Sequence, residues 1–240
     1  MTIVIMKNEA DDILDELVNS DNIHNSIDAT NKIHNLNSNN IDSNIIDTST
    51  KNNILVFDIE YSNNKILQMS WILFDINGNV VNKYNSYVKY DFNIYIDPHS
   101  FNVHMITNDM LMTGNYFIDI INEFNKDLST ISTLVSHNLK NDIRVLNHNL
   151  KNHKLDILDI DSSNYELYCT MTNTKKFCNL YYTRNNKQIL KYPKNIELYK
   201  KLFGDTNLTL QLHDAMNDVY VTACNYFKYV HNININIANL

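Results

Sequence analysis

The chain has 240 residues, 44% of them hydrophobic, with only three glycines and two prolines, so a sizeable core is within reach and turns fall to Asn and Asp. Its three cysteines, Cys169, Cys178 and Cys224, form no C-x-x-C pair and no Cys/His zinc spacing, and an odd, scattered set fits a reducing compartment. The net charge of −7 would argue against a nucleic-acid partner, but residues 1–50 hold nine Asp/Glu against two Lys, and the remainder holds 18 of each sign.

From the N-terminus, no basic region leads into a long apolar run, and no stretch approaches ~18 consecutive apolar residues. The expectation is an intracellular protein (cytoplasm, nucleus or a viral factory) with no membrane span and no secretion. Residues 1–50 read as an acidic, Asn-rich extension. Glu9 to Asn19 has the spacing of a short amphipathic helix, with Ile13, Leu14 and Leu17 on one side. The polar tract after it has the composition of a linker or a largely disordered tail.

At Lys51 the character changes, and residues 51–240 read as one α/β domain. NILVFDIEY is a short apolar, β-rich run, the pattern of a buried strand. ILQMSWILFDINGNVVNKYNSYVKY reads as two strands joined at Asn77-Gly78-Asn79, a hairpin signal. Residues 115–127 have helical spacing through Phe117, Ile120, Ile121 and Phe124. TLVSHN reads as a strand followed by a helix near 140–150. Residues 194–203 read as a helix stopped by Gly204, and LHDAMNDVYVTACNYFKYVH as the last helix. Strands first, then mixed helices and strands, favour an α/β domain.

Three short motifs carry chemistry. In Asp58-Ile59-Glu60, strand alternation puts both carboxylates on one face of a hydrophobic strand, which is costly unless a cation neutralises them. A lone D-x-E also fits a strand with one wet face. In VSHNLKNDIRVL, Asp142 sits at the start of a helix, where the helix dipole alone explains an acid. In HDAMND, Asp218 lies in an apolar helix and His213 five residues before it, at the helix entrance. Together, four acids suit two-metal phosphodiester cleavage, because Mg²⁺ and Mn²⁺ take carboxylate oxygens and water. A nearby histidine suits a general base on metal-bound water.

These motifs resemble those of the DEDD exonucleases of the ribonuclease H-like fold, in the DnaQ-like histidine (DEDDh) branch. FDIE resembles the first motif, HNLKND the second and HDAMND the third. The tyrosine branch would have Tyr where Asp214 stands. FNVHMIT, residues 101–107, resembles the family's A-x-x-I-H-G-I-T element, with Met105 in place of its glycine; YCTM and KYPKNIELYKKLFGD resemble further segments, so the likeness spans about residues 54–230. It departs at Tyr61-Ser62-Asn63, where the family commonly has Thr-Thr-Gly, and at Asn141, where an aromatic often stands.

The resemblance implies a central mixed β-sheet flanked by helices and a metal-dependent 3′→5′ exonuclease acting on single-stranded DNA or RNA 3′ ends, DNA favoured. It implies two Mg²⁺ (or Mn²⁺) held by Asp58, Glu60, Asp142 and Asp218, with His213 as base. Tyr61, His104 and Asn138 are expected against the substrate. A polymerase or a replication or repair protein is the kind of partner it implies, without identifying one. An RNA-directed exonuclease and a non-catalytic nucleic-acid-binding module on the same fold are the alternatives. Residues 175–201 add eight basic residues against Glu197 alone, interleaved with Phe177, Tyr181, Tyr182, Tyr192 and Tyr199. That composition fits strand binding and fits a solvated loop and helix equally.

Overall fold

The computed structural model describes residues 51–158, 164–204 and 213–235. The expected extension over residues 1–50, with its short helix, lies outside the described residues. Among these, a six-stranded mixed sheet is ordered β4-β3-β2-β1-β5-β6. Strand β1 (Asn53–Ser62), β2 (Lys65–Phe74) and β3 (Val80–Lys89) form an antiparallel meander. The short β4 (Asn115–Tyr116) runs parallel to β3. On the other side, β5 (Ile131–Ser136) pairs parallel with β1, and β6 (Glu166–Cys169) parallel with β5.

Asparagine makes the turns. Asn63 and Asn64 join β1 to β2 with φ of 50° and 62°, the left-handed pair a tight two-residue hairpin needs. The β2–β3 turn forms where Asn77-Gly78-Asn79 predicts it. The Asp75 carboxylate there accepts from the backbone N–H groups of Asn77 and Asn79, at 2.9 and 2.8 Å. Seven of the ten non-glycine residues with positive φ are asparagines, so the residue type stands in for the missing glycines.

Strand β2 is buried along nearly its whole length because helices cover both faces of the sheet. On one face, Leu55, Phe57 and Ile59 pack with helix residues Phe117, Phe124, Ile143 and Leu146. On the other, Ile54, Val56, Ile72 and Phe74 pack with Met216, Val219, Ala223 and Phe227. The helices, in chain order, are α1 (Pro98–His104), α2 (Asn108–Met112), α3 (Phe117–Leu128), α4 (Leu139–Asn152), α5 (Thr170–Asn173), α6 (Lys175–Cys178), α7 (Asn195–Phe203) and α8 (Ala215–Tyr226), which runs on into a π-turn, Phe227–His231. Between α6 and α7, β7 (Tyr181–Arg184) and β8 (Lys187–Leu190) make a separate antiparallel hairpin. The amino-acid pattern alone reads this segment as a loop, because its turn is Asn185-Asn186 and carries no Gly or Pro. Among the described residues no helix is long and apolar enough to cross a membrane.

Candidate active site

Strand parity sets the geometry. Ile54 and Val56 face α8, and Asp58 and Glu60 continue the same row beyond the apolar part of β1. Asp218 lies in the first turn of α8 and faces them. The ligand atoms of Glu60, His213 and Asp218 lie within 4.8 Å of one another. Asp142, in the first turn of α4, arrives from the C-terminal end of β5, where the Ser136 hydroxyl donates a hydrogen bond to its carboxylate. Asp58, half-buried, does not share the tight Glu60–His213–Asp218 grouping, but it stands close enough to all the other acids to feel their charge.

Burial holds the Asp58 carboxyl well above the usual carboxylate range, and Asp142, Asp218, Glu60 and Asp214 push it in the same direction. Burial pushes Glu60 up to about 8, with Asp218, Asp142 and Asp214 adding to the rise. Burial also lifts Asp142 to about 7, against the opposing Ser136 hydrogen bond and with help from Asp218. Burial raises Asp218 too. The His213 backbone N–H, at 2.7 Å, the His213 ring and the Asn195 amide resist that rise. Burial raises all four carboxyls, and neighbouring acids add to the rise at each, a pattern that a bound cation would relieve.

The donor set fits a hard divalent ion: the carboxylate oxygens of Glu60 and Asp218, with no thiolate in the grouping and the His213 imidazole beside them, placed for proton transfer. His213 is exposed and holds a left-handed backbone, φ 68°, immediately before Asp214. Asp214 caps α8, accepting from the backbone N–H groups of Met216 and Asn217.

The three residues expected at the substrate fall in different places. His104 ends α1 and is buried. Its Nδ1 accepts the Ile106 backbone N–H at 3.0 Å, so the neutral ring carries its proton on Nε2, which is buried and has no partner among the described residues. Burial and the nearby His213 both lower its pKa. Asn138 is the N-cap residue of α4 with φ 82° and makes no side-chain cap bond. The Tyr61 hydroxyl accepts from the Asn141 amide at 3.0 Å, and Asn141 in turn accepts from Arg144. The two positions where the sequence departs from the expected motifs thus touch each other.

Sequence reasoning passed over the residues that hold the ligands in place. Gln68, opposite Glu60 on β2, donates to Asp214 at 2.9 Å and accepts the Ala215 backbone N–H at 3.2 Å. Asn195, the first residue of α7, donates to the Asp218 carbonyl at 3.1 Å and to Thr222 Oγ1 at 2.9 Å, and accepts from Asn225 at 2.8 Å. A lone Gln inside ILQMSWILF was the available signal for the first; nothing in the pattern marked the second.

The model of the exonuclease family of RNase T type matches residues 45–226. The chain belongs to the exonuclease family. The DnaQ-like DEDDh resemblance is borne out, and the central mixed sheet flanked by helices is that of ribonuclease H-like exonucleases. Three solved structures illustrate the likeness. E. coli Exonuclease I in complex with a dA16 oligonucleotide is 15% identical with a TM-score of 0.58 over 74% of this chain. Exonuclease X in complex with 5′ overhanging duplex DNA is 24% identical with a TM-score of 0.51 over 75% of this chain and 92% of its own. A 3′-exonuclease with 3′-end specific recognition of the histone mRNA stem-loop is 12% identical with a TM-score of 0.59, over 77% of this chain and 65% of its own. The chain spans 41% of the Exonuclease I chain. Among curated protein sequences, none matches it.

Proposed function

We propose that this exonuclease is a divalent-metal-dependent enzyme that shortens single-stranded nucleic acid from its 3′ end and releases nucleoside 5′-monophosphates. The observation that carries this reading is the close grouping of Glu60, Asp218 and His213, with Asp58 and Asp142 near enough for the acids' charges to be felt among them. DNA is the favoured strand, because two of the three related structures were solved with DNA and one recognises RNA.

Asp58, Glu60, Asp142 and Asp218 would hold two Mg²⁺ or Mn²⁺ ions. Bound there, the ions lower the pKa of attached water and offset charge on the attacking and leaving oxygens. His213, exposed at the mouth of the cluster, takes the proton from the attacking water. Water oxygen joins the terminal phosphorus, the bond from phosphorus to the 3′-oxygen of the penultimate nucleotide breaks, and that oxygen leaves with a solvent proton. His104, whose buried Nε2–H has no partner among the described residues, is the proposed donor to the terminal nucleotide once the site takes up a strand, and Tyr61 and Asn138 are the other residues proposed to meet the substrate.

The test is digestion of matched 5′-labelled DNA and RNA strands with Mg²⁺ or Mn²⁺. The expected result is a ladder of progressively shorter labelled strands and 5′-mononucleotide product, with DNA cut faster. A double variant, Asp58→Ala with Asp218→Ala, is expected to be inactive; digestion at the wild-type rate by that variant would overturn the assignment. Calorimetric titration with Mn²⁺ separates this reading from a non-catalytic module, for which no tight pair of sites is expected.

A further inference from the structure

The β7–β8 hairpin is unlike the rest of the molecule. None of its eight strand residues is buried, so its ribbon contributes nothing to either core. An isolated two-stranded hairpin has little stability of its own, and this one is held at its foot. Its last backbone bond, from the Lys191 N–H to the Leu180 carbonyl at 2.9 Å, closes it just before Pro193. The Pro193 carbonyl is fixed by His137 Nε2 at 3.0 Å, and Asn195 bonds Asp218. The ribbon therefore springs from the edge of the acidic cluster.

Its charge is the opposite of that cluster. The domain beyond residue 50 is balanced, yet eight of its 18 bases fall within residues 175–201, against Glu197 alone. Glu197 is already engaged, by Lys191 at 2.8 Å and by the Lys194 backbone N–H. Aromatic rings stand among the cations: Tyr181 is 53% exposed and Phe177 39% exposed. Lys175 lies 3.7 Å from the Tyr192 ring centroid, a geometry in which cation and ring present one combined surface. Cations with exposed rings are the chemistry that binds unpaired strands, through phosphate attraction and base stacking.

We infer that the β7–β8 hairpin, with Lys176 of α6 at its foot, is a docking surface for the part of a single strand that lies 5′ of the bond being cut. The inference rests on the proposed nuclease function for the identity of the strand. Four strand residues extend roughly 13 Å, enough to accompany a few nucleotides of the strand. The surface serves affinity for long strands and takes no part in the chemistry.

Fluorescence anisotropy with labelled 20-nucleotide and 4-nucleotide single strands, DNA and RNA in separate arms, tests this with Ca²⁺ replacing Mg²⁺ to hold back turnover. The variant Lys176→Ser/Lys187→Ser is expected to bind the 20-mer about tenfold more weakly, and its slope of log affinity against log salt is expected to fall by roughly 1.4, about 0.7 per lost phosphate contact. The 4-mer is expected to lose less. Lys83→Ser, on β3, is the charge control and is expected to match wild type. A hairpin variant with unchanged affinity and slope, or a control that loses as much, overturns the inference. Digestion of the 20-mer by wild type with Mg²⁺ is read in parallel. Absence of cleavage with hairpin-dependent binding refutes the nuclease reading alone, and cleavage with hairpin-independent binding refutes the docking surface alone.

Discussion

His213 and His137 show how environment divides one residue type between two tasks. His213 is exposed beside Glu60 and Asp218, where the proposed mechanism has it take a proton from water. His213→Ala is expected to lower kcat by about 10²- to 10⁴-fold, the usual share of a general base, with Mn²⁺ affinity far less changed, as read from steady-state kinetics and calorimetry. His137 is wedged between Thr170 Oγ1 at 2.9 Å and the Pro193 carbonyl at 3.0 Å, and burial pushes its pKa down to about 4. A histidine depressed in the folded state adds stability that is fully present above its unfolded value, near 6.5, and is lost as pH falls toward 4. The cost is on the order of 1 kcal/mol per pH unit through that window. The clustered acids, raised in the folded state, have the opposite sign: their contribution is greatest at low pH and is lost as pH rises through about 7 to 8. Urea unfolding of wild type and His137→Gln at pH 7 and pH 5 separates the two. The gap between the proteins is expected to be smaller at pH 5.

At the scale of elements, the best-read parts of the sequence were those with a strong period or a loud turn. Helix α3 follows Phe117, Ile120, Ile121 and Phe124, and β1 follows its apolar run, because local pattern and tertiary burial agree there. Helix α1 was missed: PHSFNVH has no apolar period, and its start is set by the Asp97 side chain accepting from His99 and Ser100. That helix ends on Met105 with φ 58°, where the left-handed region favours glycine. Met105 is 51% exposed and gives up little burial. Met105→Gly is therefore expected to stabilise the domain by about 1 kcal/mol, a rise of roughly 2–4 °C in melting temperature by scanning calorimetry. Helix α7 carries a different load. Its Asn195 links Asp218 to Thr222 and Asn225, so Asn195→Ala is expected to weaken Mn²⁺ binding about 10- to 100-fold, with a smaller loss in melting temperature.

For the whole molecule, the motifs were legible because a metal site needs particular residue types, and each type stands in a short segment whose local structure positions it. Their support was not legible, since Gln68 and Asn195 act across the fold and carry no local signature. The acidic excess of the chain lies in residues 1–50, whereas the compact unit that contains the site begins at Thr48 and the family match at residue 45. A chain starting at Thr48 is expected to melt within roughly 2 °C of the full protein and to keep its kcat on a short strand, as measured by calorimetry and by digestion. The bond between Gln68 and Asp214 spans 146 residues of sequence and pins the start of α8, the helix that delivers Asp218. During synthesis at about 5–20 residues per second, β1 with Asp58 and Glu60 leaves the ribosome many seconds before that helix. A nascent or prematurely terminated chain thus carries only part of the acidic cluster. On the proposed mechanism, a chain that ends before Asp218 is expected to show no cleavage in the digestion assay.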